Sequence, residues 1–135
     1  MRMKKAVADL IHRERICRVA TAGTSGVPHL VPVCQIVDDG KIYFASGKDG
    51  RKVLNVQANP RVAVTVDLYS EAWAHLKGVM VQGDVTLIEK GPRFRKIRTR
   101  LYEKYPQYPD DAAIDESDSV IVEVTPTRVF TWGMK

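Results

Sequence analysis

Lys48, Arg51 and Lys52 lie with Gly47 and Gly50 within one six-residue stretch, 47–52. Before them runs the strand-like Lys41-Ile42-Tyr43-Phe44-Ala45, and after them Val53, Leu54 and Val56 recur at helical spacing. Backbone N–H groups at a helix start, joined by two or three cations, make a phosphate site, because charge-assisted hydrogen bonds are the strong ones. Two cations in a first helical turn are otherwise opposed by the positive end of the helix dipole. A solvated basic turn would carry the same residues. The stretch is not a Walker loop, since no Gly-x-x-x-x-Gly-Lys-Ser/Thr occurs.

Other chemistry has less to stand on. His12, His29 and His75 have no metal-ligand spacing, so no metal site is expected. Cys17 and Cys34 form neither a disulfide framework nor a zinc knuckle and are expected to be reduced. No serine or cysteine has a recognisable catalytic partner, and catalytic residues stay unassigned. Lys90, Arg93, Arg95, Lys96, Arg98, Arg100 and Lys104 crowd one segment beside the single acid Glu103. That pattern raises a nucleic-acid-binding barrel as the competing class. Without interleaved stacking aromatics it reads as the solvated face of an amphipathic helix, and nucleic acid is not the expected partner.

The elements that must position the basic cluster follow from periodicity. Met3, Val7, Leu10 and Ile11 define a short amphipathic helix over 3–14. Ile16–Ala22 is a strand, closed by a turn at Gly23–Pro28, and His29–Val37 is a second strand. Asp38-Asp39-Gly40 makes a tight hairpin into the third, Lys41–Ala45. A helix begins near Asp49 or Gly50 and stops at Asn59-Pro60. Val62–Leu68 reads as a central strand. Leu76–Ile88 reads as a long bent one, with Gly78 and Gly83 at bulge or close-approach positions. Phe94, Ile97, Leu101 and Tyr105 share one face of a helix opened by Pro92. The acidic run to Ser119 is expected to be loop, and the strands Val120–Val124 and Thr127–Trp132 bracket Thr125-Pro126. Six or seven strands with short turns predict a mainly β fold with flanking helices, an antiparallel Greek-key split barrel.

The 135 residues, 44% of them hydrophobic, predict one domain over residues 1–135 with a self-sufficient core. No apolar run approaches the ~20 residues a membrane span needs. Asp9, His12, Arg13 and Glu14 interrupt what would have to be a signal peptide's apolar core, so the expected location is cytoplasmic. The net charge of +5 is uneven, with 19 basic against 10 acidic residues in 1–105 and 2 against 6 in the rest. Such an excess favours an anionic partner, and phosphate-bearing cofactors and nucleic acids both qualify.

Six segments recur in a telling order: Arg18-Val19-Ala20-Thr21-Ala22, Gly26-Val27-Pro28-His29-Leu30-Val31-Pro32-Val33, Ile42-Tyr43-Phe44-Ala45-Ser46, Arg51-Lys52-Val53-Leu54-Asn55-Val56, Asn59-Pro60-Arg61-Val62-Ala63 and Val79-Met80-Val81-Gln82-Gly83. In order and spacing they resemble the pyridoxamine 5′-phosphate oxidase-like, FMN-binding split-barrel family, over residues 5–132. The resemblance implies a homodimer with the flavin in the groove between subunits, and a small-molecule redox substrate. It implies that His29, Leu30, Val31, Pro32 and Val33 run beside the ring and ribityl chain. Ala45 and Ser46 would approach the phosphate, and Arg51 and Lys52, with Lys48 nearby, would clamp it. Lys77, Gly78 and Gln82 would reach the ring from one side, and Trp132 would stand where relatives place an aromatic beside the flavin. Pro32 cannot donate to a β-ladder, which suits an edge or a bulge next to a ligand.

One departure bears on substrate. Members that oxidise pyridoxamine phosphate carry Arg-x-His near the C-terminus, whereas this chain reads Arg128-Val129-Phe130-Thr131-Trp132-Gly133-Met134. That argues against vitamin B6 oxidation. The shorter relatives include proteins that use the deazaflavin F420, and Val66-Asp67-Leu68-Tyr69 with Trp73 is similar to a stretch in some of those. F420 is therefore the alternative cofactor, and a protein that binds flavin without turnover is a further alternative.

Overall fold

The computed structural model describes residues 2–134. In chain order the elements are α1 (Lys5–Arg13), β1 (Cys17–Ala22), β2 (Pro28–Val33), β3 (Gln35–Asp38), β4 (Lys41–Gly47), α2 (Arg51–Ala58), β5 (Arg61–Leu68), β6 (Lys77–Ile88), α3 (Pro92–Lys104), α4 (Tyr108–Asp111) and β7 (Ser119–Trp132). A single 3-10 turn, Trp73–His75, interrupts the β5–β6 connection. Seven strands form one antiparallel sheet in the order β2-β1-β5-β6-β7-β4-β3. Its two edge strands, β2 and β3, are consecutive in sequence and separated by Cys34 alone. So short a link forces the two edges together, and the sheet curls into a split barrel.

Alternation of side chains divides the sheet into two faces. Inward, Cys17, Val19, Val62, Val64, Val66, Val79, Val81, Val122 and Val124 build the barrel core, closed by Val7, Leu10 and Ile11 of α1 and by Val56 of α2. A second core packs Phe94, Ile97 and Leu101 of α3 onto Ile36, Tyr43 and Ile121. The basic side chains of α3 hold it there. Arg93 bonds the buried Glu123 carboxylate and the Tyr43 hydroxyl. Lys96 and Arg100 both reach Asp38, at 3.3 and 2.7 Å, and Arg95 reaches Glu116 at 3.7 Å. Charges that the sequence offered as a nucleic-acid face are largely engaged within the chain.

Several expectations are corrected. The run His29–Val37 is two strands, broken at Cys34, because it must pass from one edge of the sheet to the other. Val120–Val124 and Thr127–Trp132 are one strand, β7, in which Pro126 is accommodated opposite Gly83 at an irregularity between Gln82 and Gly83. The segment after Tyr105 contains the short helix α4. The hairpin forms as expected, with Asp39 at φ 50° and Gly40 at φ 74°, both left-handed. Pro28 and Pro32 lie on an edge strand at alternate positions, where they remove outward N–H groups that would invite another strand.

A buried clasp fastens the seam. The Gln35 amide donates to the carbonyls of Ile11 and Glu14, both at 2.9 Å, satisfying the end of α1. Lys104 donates to the carbonyls of Glu14 and Gln35, and the Tyr105 hydroxyl accepts from the Gln35 N–H at 3.0 Å. Burial pulls the Lys104 ammonium down to about 8, with Arg15 acting in the same direction. Burial pushes the Cys17 thiol up to about 12, and the Tyr105 and Tyr108 hydroxyls are also raised by burial.

These shifts have opposite signs. The unfolded chain binds the Lys104 proton up to its ordinary 10.5 while the folded chain releases it near 8, so stability rises with pH above about 8. The Cys17 and tyrosine contributions are complete below their ordinary 9.0 and 10.0 and are lost at higher pH. The urea midpoint is therefore expected to climb from pH 7 to 9 and fall by pH 11. Lys104→Met should abolish the climb; if the variant climbs equally, Lys104 is not its source.

Candidate functional site

The helix α2 starts without a cap. Its N-cap Gly50 makes no side-chain hydrogen bond, and its first turn holds Arg51 and Lys52 but no acid. The positive end of the helix thus carries two more positive charges, an arrangement an anion would relieve. Beside it opens a cleft of about 360 Å³ lined by Ser25, Val27, Pro28, His29, Arg51 and Asn55. His29 projects from the inner face of β2, opposite Thr21 of β1, and its ring Nδ1 is buried with no hydrogen-bond partner. Buried polar atoms are rarely left so, and here the atom belongs to a residue of the cleft.

Across Pro28 lies a larger groove, about 570 Å³, on the outer face of the sheet. Ala20, Ala22 and Ala63 give it a floor of small side chains, and Pro28, Arg61, Gln82, Asp84 and Thr127 border it. The floor is set by pairing: Ala20 faces Ala63 across β1–β5, and Ala63 faces Gln82 across β5–β6. Thr127 is the extra residue where Gln82 pairs Arg128 but Gly83 pairs Pro126. The bulge turns its hydroxyl onto the Gln82 carbonyl at 3.2 Å. Gly83 permits this, since a Cβ there would lie 2.6 Å from the Thr125 carbonyl oxygen.

The residues singled out from the sequence fall in several places. His29 and Arg51 meet in the cleft, and Gln82 borders the groove. Of the β2 run, Leu30 and Pro32 are exposed on the outer face, whereas Val31 and Val33 point to the core, as the pleat requires. Ala45 and Ser46 line a separate cavity with Tyr108 and Ile114. Ser46 Oγ nevertheless stands close to Gly50, 3.3 Å from where a Cβ would be. Lys48 follows β4, its backbone N–H on the Asp118 carbonyl at 2.9 Å, and Lys52 is half-buried beside Arg51. Lys77 lies at the far end of β6, in a cavity with Asp9, Arg13 and Met134. Trp132 lies across Gly78, where any Cβ would overlap its indole. Arg61, Asp84, Thr127, Ser25 and Asn55 are not among the candidate site residues the sequence singles out; alternation along β1 puts Ala20 and Ala22 on one face, and only the β1–β5 pairing adds Ala63.

An antiparallel split barrel with a basic, uncapped helix start beside an outer-face groove defines the structural class. Within it, residues 3–133 match the family model described as pyridoxamine 5′-phosphate oxidase, and the chain belongs to that family. A relative, the 5a,11a-dehydrotetracycline/5a,11a-dehydrooxytetracycline reductase of Streptomyces rimosus, is 30% identical over 124 residues, covering 87% of this chain and 74% of its own. Among solved structures, a conserved hypothetical protein of Mycobacterium tuberculosis superposes with a TM-score of 0.82 at 24% identity, over 96% of this chain and 84% of that one. An F420 reductase superposes with a TM-score of 0.75 at 22% identity, over 95% and 98%. At those identities the structural likeness is one of fold. Among the described residues no helix is long and apolar enough to cross a membrane, and no cluster of metal-ligating side chains occurs.

Proposed function

We propose that the protein is an oxidoreductase that binds a flavin-type cofactor, FMN or F420, and transfers hydride to or from a small organic molecule. The observation that carries this reading is the uncapped start of α2, where Arg51 lines one cleft with His29, whose Nδ1 is unpartnered, and Lys52 follows in the same helical turn. That set fits a phosphate, and the small-residue floor of the adjoining groove fits the edge of a planar ring. The cofactor, when bound, supplies the hydride chemistry; the chain supplies binding and orientation. Arg51 and Lys52 neutralise the phosphate, and Gln82 and Thr127 offer hydrogen bonds at the groove wall. The reductase relative supports a redox reading, and the missing Arg-x-His argues against pyridoxamine phosphate as substrate. Absorption-monitored titration with FMN and F420 at equal salt tests the proposal. Saturation by one of them at about one per chain is expected; binding of neither by the folded protein overturns it.

The same reading makes the protein a homodimer. Leu30, Phe130 and Trp132 expose 62%, 39% and 43% of their surface on the outer face, Phe130 directly opposite the half-buried Met80, and a second copy would cover them. Leu30 lies directly opposite Ala20 of the groove floor. Leu30→Glu is therefore expected to give monomers that bind cofactor weakly, as read by sedimentation and titration. A wild-type protein that sediments as a monomer at micromolar concentration would sink the dimer.

A further inference from the structure

Arg51 and Asn55 are four residues apart on α2, on the same face, and both line the cleft. Unlike Arg51, Asn55 is buried, and its Nδ2 donates to the Thr21 hydroxyl at 2.9 Å. Thr21 is itself buried, opposite His29 in the β1–β2 pairing, and it borders the outer-face groove. On the other side the Asn55 amide oxygen rests over Gly23, where a Cβ would come within 2.8 Å of it. This one side chain therefore ties the helix that carries the cations to the end of the strand pair that carries both His29 and the groove. It is the only hydrogen bond between a side chain of α2 and the sheet among the described residues.

We propose that Asn55 is a positioning residue: through Thr21 it sets the first turn of α2, and with it Arg51, at the distance from the groove that lets one ligand engage both. The inference rests on the proposed cofactor reading and adds a residue that works through Arg51 and not on the ligand. Its consequence is selective. Loosening the tie should weaken the part of the binding that comes from the phosphate, and should leave the ring's share in the groove largely intact.

The test compares ligands that differ only by the phosphate-bearing portion: FMN against riboflavin, and F420 against its phosphate-free deazaflavin core. Thr21→Val keeps the shape of the side chain and removes the acceptor, whereas Thr21→Ser keeps the acceptor. Gly23→Ala pushes against the Asn55 amide from the opposite side. In Gly23→Ala, at a residue lining neither the cleft nor the groove, the phosphate-bearing ligand is expected to bind about tenfold more weakly and the phosphate-free one within about twofold of wild type; Thr21→Val should weaken the phosphate-bearing ligand likewise, and Thr21→Ser should not. Equal losses for both ligands would mean a general structural role and overturn the proposal, as would unchanged affinity in both variants. A wild-type protein that binds none of the four ligands overturns the cofactor reading itself. A wild type that binds one ligand while Thr21→Val changes nothing overturns only the role of Asn55.

Discussion

Arg51→Ala is expected to weaken binding of FMN or F420 by about 1.5–3 kcal/mol, the range for hydrogen bonds to charged groups, which is roughly ten- to 150-fold in Kd. Lys52→Ala should cost a similar amount. Arg51 is exposed, and among the described residues no ion pair or side-chain hydrogen bond engages it. It repels the positive end of its own helix, so removing it should leave the ligand-free protein as stable as before or a few tenths of a kcal/mol more stable. The two effects have opposite signs, which separates a binding residue from a structural one. Calorimetric titration read beside the urea midpoint would show both. Undiminished affinity in Arg51→Ala and Lys52→Ala alike would remove the pair from the site.

The largest effect on stability is expected from Gln35→Ala, at about 3 kcal/mol. Gln35 is fully buried and occupies the first position after the one-residue link between the two sheet edges. Truncation leaves the carbonyls of Ile11 and Glu14 without the Gln35 donor and leaves a void where its side chain stood. A buried acceptor without a donor loses more than the modest net worth of the bond, because the water it had in the unfolded chain is not replaced. Lys104 still reaches the Glu14 carbonyl, so the Ile11 carbonyl suffers more. The lost free energy should appear as a lower urea midpoint with an unchanged slope. A loss under about 1 kcal/mol would mean that the seam is held by α1 packing and not by the clasp.

Much of the architecture was legible because it is local. Val62–Leu68 alternates branched side chains, Phe94 to Tyr105 repeats at 3.6 residues, and Asp39-Gly40 can take left-handed conformations; each depends on neighbours in sequence alone. The strand break at Cys34 was not legible, since Val33 and Gln35 differ only in which edge of the sheet they join. Nor was the union of the last two strands, because Pro126 forbids a ladder bond in sequence but is accommodated beside the irregularity at Gly83. Gln35 looked like an ordinary strand residue until the ends of α1 and α3 met over it.

The candidate site divides along the same line. Chain order alone determined that Arg51 and Lys52 begin a helix after a glycine turn, since charge, breaker and helical period sit within a few residues. Only the tertiary structure decided that His29 faces Arg51, that three alanines from two strands floor a groove, and that Asn55 fastens helix to sheet through Thr21. Those residues are 22 to 43 positions apart at their extremes, as in Arg51 against His29 and Ala63 against Ala20. Their meeting depends on strand register and on the curl of the sheet, which arise from packing of the whole core and leave no mark at any single position.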